Sequence, residues 1–158
     1  MTEGSAGSEG EGVERRPVVP DGEVWRLVAV AGVHLELPSQ YPEIVLHEQS
    51  SPFRELRIPV ALADGSAVAA AWKGRPTARP LTHVVWWETL GRHNVRVEAV
   101  RITARRGGVF YAELDTMGPS GRQVVASRPS DALALTLRAA PAVPVLVADW
   151  VFADPPVG

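Results

Sequence analysis

Residues 95–117 read VRVEAVRITARRGGVFYAELDTM, and this stretch decides the fold. Two runs rich in β-branched and aromatic residues, 95–104 and 109–117, flank Arg105-Arg106-Gly107-Gly108. A Gly-Gly pair between two such runs favours a tight hairpin, because the two-residue turns that match strand twist need positive φ. In the second run Phe110, Ala112 and Leu114 alternate with Tyr111, Glu113 and Asp115. One side of the hairpin should therefore be core and the other polar.

Reading outward from the hairpin, Gly118-Pro119-Ser120-Gly121 predicts a turn and residues 123–126 a further strand. A helix over 130–140 follows, with Ser130 as its cap, Asp131 in its first turn and Arg138 near its end. It is apolar on nearly every other face and so must be buried. Pro141 and Pro144 end it, and 145–148 predicts a last strand. Upstream, strands are expected over 24–37, with Gly32 as a bend and Pro38 as the stop, and over 43–47 and 54–60. Asp64 is expected to cap an Ala-rich helix through Ala67, Val68, Ala71 and Trp72 that stops at Gly74, with Pro76 beyond. A second helix, capped by Thr82, carries His83, Trp86, Trp87 and Leu90 on one face and Glu88 on the other.

Strands with interspersed helices, rather than strict alternation, predict a compact single α+β domain with a mixed sheet and about three helices. Segment 58–72 is echoed in 124–137, each a strand, a loop and a helix start, which suggests an internal duplication.

At 158 residues, 46% of them hydrophobic, the chain has length for one domain with its own core. Residues 1–22 are rich in Gly, Ser and Glu and predict a disordered acidic tail, with the domain over 23–158. The tail holds five acids and two bases, leaving 14 bases against 13 acids in the rest. Such a body is not strongly basic, although 15 of the 16 basic residues are Arg, which suits bidentate phosphate contacts. No apolar run approaches the length of a membrane span, and the first residues lack the order of a secretory signal, so a cytoplasmic protein without membrane association is expected. With no Cys, disulfides, thiolate metal sites and a Cys nucleophile are excluded; any metal must rest on His and carboxylates.

Two segments carry more than fold: Arg79-Pro80-Leu81-Thr82-His83 and, 49 positions later, Arg128-Pro129-Ser130-Asp131-Ala132-Leu133-Ala134-Leu135. Together they resemble the bifunctional nuclease family, and RPSDALAL is the specific one. RIPV at 57–60, GGVFYAE at 107–113 and PVLV at 144–147 fall in the same order, so the similarity spans roughly residues 24–152. The resemblance implies a compact α+β fold, a homodimer, and nuclease activity on DNA and RNA. The positions that retain the family's polar pattern are Arg79, Thr82, His83, Glu113, Arg128, Ser130 and Asp131. Departures accompany them. Ala61, Ala63 and Ser66 stand where the family usually has tryptophan, glycine and glutamate, and Val84 and Ala126 stand where it has aspartates.

Phosphodiester hydrolysis needs an activated water, charge stabilisation at the phosphoryl oxygens and help for the leaving oxygen, usually from divalent metals on several carboxylates. If metal is used, Mg²⁺ or Mn²⁺ is expected on Glu113 and Asp131, with Asp115 on the strand face of Glu113. If it is not, His83 serves as general base while Arg79 or Arg128 stabilises the developing charge. Ser130, Arg105 and Arg106 are further candidate substrate contacts, and Trp86 and Trp87 are candidates to stack bases. Each has a plainer reading. Asp131 could only stabilise a helix dipole, Ser130 only cap, and His83, Trp86 and Trp87 only pack in a core or dimer contact. Arg128 could only form a buried ion pair with Asp131, and the series Arg92, Arg96, Arg101, Arg105, Arg106 could only be a solvated strand face.

Overall fold

The computed structural model describes residues 22–153. The expected acidic tail, apart from Gly22, lies outside them. Seven strands, β1 (Trp25–His34), β2 (Glu43–Glu48), β3 (Glu55–Pro59), β4 (Arg96–Arg106), β5 (Val109–Gly118), β6 (Gly121–Ser127) and β7 (Val145–Ala148), form one sheet. Three α-helices accompany them, α1 (Leu62–Trp72), α2 (Thr82–Arg92) and α3 (Pro129–Thr136), and a 3₁₀ turn covers Asp149–Phe152. The sheet order is β3-β2-β1-β7-β4-β5-β6. Only β7 on β4 is parallel, so the sheet is mixed and the fold is α+β, as expected. Among the described residues no helix is long and apolar enough to cross a membrane.

The hairpin forms as its residues dictate. Arg106 pairs with Val109, and Gly107 and Gly108 both take positive φ, 55° and 78°. The Gly32 bend is a bulge, where the β1–β2 register shifts between Val30 and Gly32. β1 stops at His34, short of the expected end at Pro38.

The suggested duplication has a counterpart in the topology, which repeats one arrangement twice. An antiparallel meander β1-β2-β3 followed by α1 is matched by β4-β5-β6 followed by α3, and β7 is inserted between the halves. The core lies between one sheet face and the pair α1 and α3. It includes Ile44, Leu46, Val100, Ile102, Phe110 and Leu114 from the strands, with Val68 and Leu133 from the helices. Each wholly buried side chain such as Leu46 or Ile102 contributes about 1.5–3 kcal/mol. Gly65 lets α1 lie close, because a Cβ there would meet Pro42 Cγ at 2.6 Å.

Four local expectations are corrected. Each helix starts earlier than predicted, with Ala61, Leu81 and Arg128 at the cap positions and no side-chain capping bond. Asp64 and Asp131 therefore each occupy the third helical position, Ser130 the second and Thr82 the first. Asp favours that first turn for the same dipole reason that favours it at the cap, so the pattern alone does not separate the two registers. The fourth concerns the length of α3, which ends at Thr136 rather than 140, its exit tightened by Ala139 N–H bonding the Thr136 carbonyl. Its burial was anticipated: every residue but Asp131 is inside.

Candidate functional site

The site begins with equivalent positions in the two halves. Asp64 in α1 and Asp131 in α3 each follow a strand, a short connection and two helical residues, which brings both carboxylates to the same end of the packed helix pair. The guanidinium of Arg128, the cap residue of α3, lies between them. Its Nε and Nη2 donate to Asp131 Oδ2 and Oδ1 at 2.8 and 3.1 Å, and its Nη1 and Nη2 to Asp64 Oδ2 and Oδ1 at 3.1 and 3.4 Å. The expected Arg128–Asp131 pair exists, but it is not buried: the Arg128 side chain is 64% exposed.

α2 adds the fourth member. His83 Nε2 lies 3.2 Å from Asp131 Oδ1, so RPLTH and RPSDALAL do meet in space. His83 is half-buried rather than core. Burial pushes the Asp131 carboxyl up, but the bonds from Arg128 and His83 outweigh it and hold the group below the ordinary aspartate value. The same contact with Asp131, aided by Asp64, raises Arg128 further above neutrality. Asp131 is thus a stable anion that can orient an imidazole and stabilise its protonated form.

Of these groups, His83, Arg128 and Asp131 line an open groove of about 600 Å³ between α2 and the β5–β6 end of the sheet. Its lining is largely apolar, with Trp86 and Leu90 on one wall and Leu114, Val125 and Leu135 opposite. Trp87 packs partly into the core, whereas Trp86 is 58% exposed, so the two tryptophans divide between the roles considered for them.

Other expected members are not brought here. Glu113 alternates with Ala112 and Leu114 and so faces away from the helices, where it meets Arg101 at 3.5 Å. Asp115, on that same face, is held by Arg101 and Arg122. Arg122 chiefly, with Arg101, keeps its carboxyl below the usual range against the push of burial. Arg101 and Arg96, which pairs with Glu98, therefore belong to separate ion pairs rather than to one basic stripe. Arg105 and Arg106 sit at the hairpin tip, roughly 14 and 17 Å along β5 from Leu114 at about 3.4 Å per residue. Arg105 stacks over Phe110, 5.1 Å from the ring centroid. Ser130 is only 4% exposed, with the other α3 core residues. Arg79 is exposed in the segment leading into α2, and Thr82 lines the groove.

Asp64 is the member that sequence reasoning missed as a functional residue, although the internal echo pairs its helix with that of Asp131. It supplies a carboxylate from α1, where Ser66 replaces the family's glutamate and merely back-bonds to the Leu62 carbonyl at 2.8 Å.

The arrangement does not suit a divalent cation. Glu113 and Asp131 are on opposite sides of the sheet, so the expected metal pair is not formed. Asp64 and Asp131 both face a guanidinium, and among the described residues no three His, Asp or Glu side chains converge as metal ligands. Mg²⁺ and Mn²⁺ favour near-octahedral oxygen sites, which this donor set does not offer. What it offers instead is an oriented imidazole beside a cation, at the edge of an apolar groove.

No curated protein matches the chain. Residues 44–157, most of the described domain together with the segments quoted above, match the bifunctional nuclease domain, and the chain belongs to that family.

Proposed function

We propose that this protein hydrolyses phosphodiester bonds of nucleic acid, with His83 and Asp131 as a general acid–base pair and no metal in the reacting site. The observation that carries this reading is the 3.2 Å contact between His83 Nε2 and Asp131 Oδ1 on the rim of an open groove, in a chain of a nuclease family. With Nε2–H donated to Asp131, Nδ1 of His83 keeps a lone pair that can take a proton from water. The resulting hydroxide attacks phosphorus, Asp131 stabilises the imidazolium that forms, and as the P–O bond breaks that imidazolium gives its proton to the leaving oxygen, which regenerates neutral His83. Arg128, exposed and always cationic, stabilises charge on the phosphoryl oxygens. Arg79 supplies a second cation at the entry to α2.

A second reading, a binding module without turnover, draws on one observation: Arg128 is already shared by two carboxylates. Its charge is largely neutralised before any phosphate arrives, which limits both anion affinity and transition-state stabilisation.

The test is hydrolysis of end-labelled DNA and RNA by the purified protein, with Mg²⁺, with Mn²⁺ and with chelator, beside Asp131→Asn and His83→Gln. Cleavage that persists in chelator and falls at least a hundredfold in both variants supports the hydrolase. Binding without cleavage supports the module, cleavage that needs metal overturns the metal-free scheme, and cleavage equal in all proteins overturns the assignment of the site.

A further inference from the structure

α2 is an unusual element of this molecule: none of its residues is buried, and Val85 and Trp86 are 50% and 58% exposed. Trp86 does not point into empty solvent at random. It lines the groove whose floor is formed by Leu114 and Val125, and His83, one turn earlier on the same helix, lines it too. A flat aromatic wall, an aliphatic floor and, at the rim, the exposed Arg128 guanidinium match the parts of one nucleotide, a base with two apolar faces attached to an anionic phosphate, which competes with Asp131 and Asp64 for that guanidinium.

We infer that the groove selects unpaired nucleic acid, with a base stacked on Trp86 against Val125 and its phosphate at Arg128. This rests on the hydrolase reading for the chemistry at the rim, and goes beyond it by naming the substrate's state and the residue that chooses it. The physical reason is access. In a duplex the bases are stacked on one another and only their edges face the grooves, so no base face can reach Trp86 until the pair is opened, at a cost of a few kcal/mol. A single strand presents its base faces directly, and stacking is tolerant of sequence because every base has a π-face. The charge pattern agrees with one nucleotide rather than a long duplex backbone. Arg105 and Arg106 are away at the hairpin tip, Arg101 and Arg122 are engaged on the other sheet face, and the groove's rim cation is Arg128.

The experiment is fluorescence anisotropy of labelled oligothymidylate, of the same length of duplex and of single-stranded RNA, in chelator, with the full chain and with Trp86→Ala, Trp86→Phe and Val125→Glu. The parent should bind single strands at least tenfold more tightly than duplex. Trp86→Ala should lose about tenfold on single strands and little on duplex, Trp86→Phe should keep most of the affinity, and Val125→Glu should abolish the preference. Thermal melts of all three variants should match the parent, since both side chains are half exposed. Equal binding of single strand and duplex, or a Trp86→Ala variant that binds like the parent, overturns the inference. So does sedimentation showing that Trp86 holds two copies of the chain together while nucleic-acid binding is unchanged on its removal. Trp86-dependent binding without cleavage leaves the inference standing and removes the hydrolase, whereas cleavage indifferent to Trp86 does the reverse.

Discussion

Arg128 is held on one side by the residue three positions ahead of it and on the other by an aspartate from the first half of the chain. Its grip by Asp131 is local, and the sequence alone suggested it. Its grip by Asp64 depends on α1 and α3 packing side by side, which no local pattern reports, and so Asp64 read as an ordinary helix start. The same limit explains Glu113: period-two alternation assigned it to the polar strand face, but only the position of the helices shows that this face is remote from Asp131. In the proposed hydrolysis Asp64 touches no reacting atom and would act through Arg128, as a positioning residue. Asp64→Asn should lower hydrolysis about tenfold while changing unfolding free energy by about 1 kcal/mol or less, because the Arg128 guanidinium it pairs with is largely exposed and keeps Asp131 as a partner. Asp64→Glu should recover part of the rate. A large loss of stability with activity intact would assign Asp64 to the fold instead.

Among elements, the β4–β5 hairpin was readable because its information is local: two Gly residues in a turn that needs positive φ, between runs of strand-forming side chains. α2 was readable as a helix but not as a helix standing off the core, since its apolar face is satisfied only in part by the neighbours it meets. The 3₁₀ turn after β7 carried no periodic signal, being a single turn of Asp149–Phe152. Two glycines test this element-level account in opposite directions. Gly108→Ala forces a Cβ onto a residue at φ 78° and should destabilise by about 1 kcal/mol. Gly91→Ala lies within α2, where a Cβ would meet nothing within 4 Å, and should stabilise by about 0.5–1 kcal/mol. Urea midpoints of the two variants check both signs. Equal shifts in the same direction would refute the assignment of turn and helix to these positions.

At the scale of the whole molecule, the end of the core beside β1 and β2 is closed by charge. Glu48 follows the alternation of Ile44 and Leu46, so its wholly buried carboxylate points to the core side. There it accepts from Arg54 Nε and Nη2 at 3.0 Å and from the Arg54 backbone N–H, with Arg26 Nε at 3.5 Å. Asp149 joins by accepting from Arg26 and Arg54 at 2.8 and 2.7 Å, and Arg54 stacks over Phe152 at 4.2 Å. The cluster ties the β2–β3 turn to the 3₁₀ turn near the far end of the chain. Arg54 chiefly holds Glu48 below its ordinary value against the push of burial, and Arg54 with Arg26 lowers Asp149. Asp115 and Asp131 are lowered as well. A carboxyl whose folded pKa is depressed binds fewer protons than its unfolded counterpart, so it stabilises the fold above the unfolded values of about 4 and loses that contribution as pH falls through the lower folded values. Stability should therefore be flat from neutral pH to about 5 and fall steeply below 4. Glu48→Gln should be less stable than the parent by about 3 kcal/mol at pH 7, because Arg26 and Arg54 lose the buried one of the two anions they share and keep only Asp149. The variant no longer has Glu48 to protonate, so the gap should narrow as the medium is made acid. Urea midpoints of both proteins between pH 7 and pH 2.5 measure this directly. A gap that stays constant through acid would show that Glu48 is not held as a depressed carboxylate, and that the closure of this end of the core rests on packing alone.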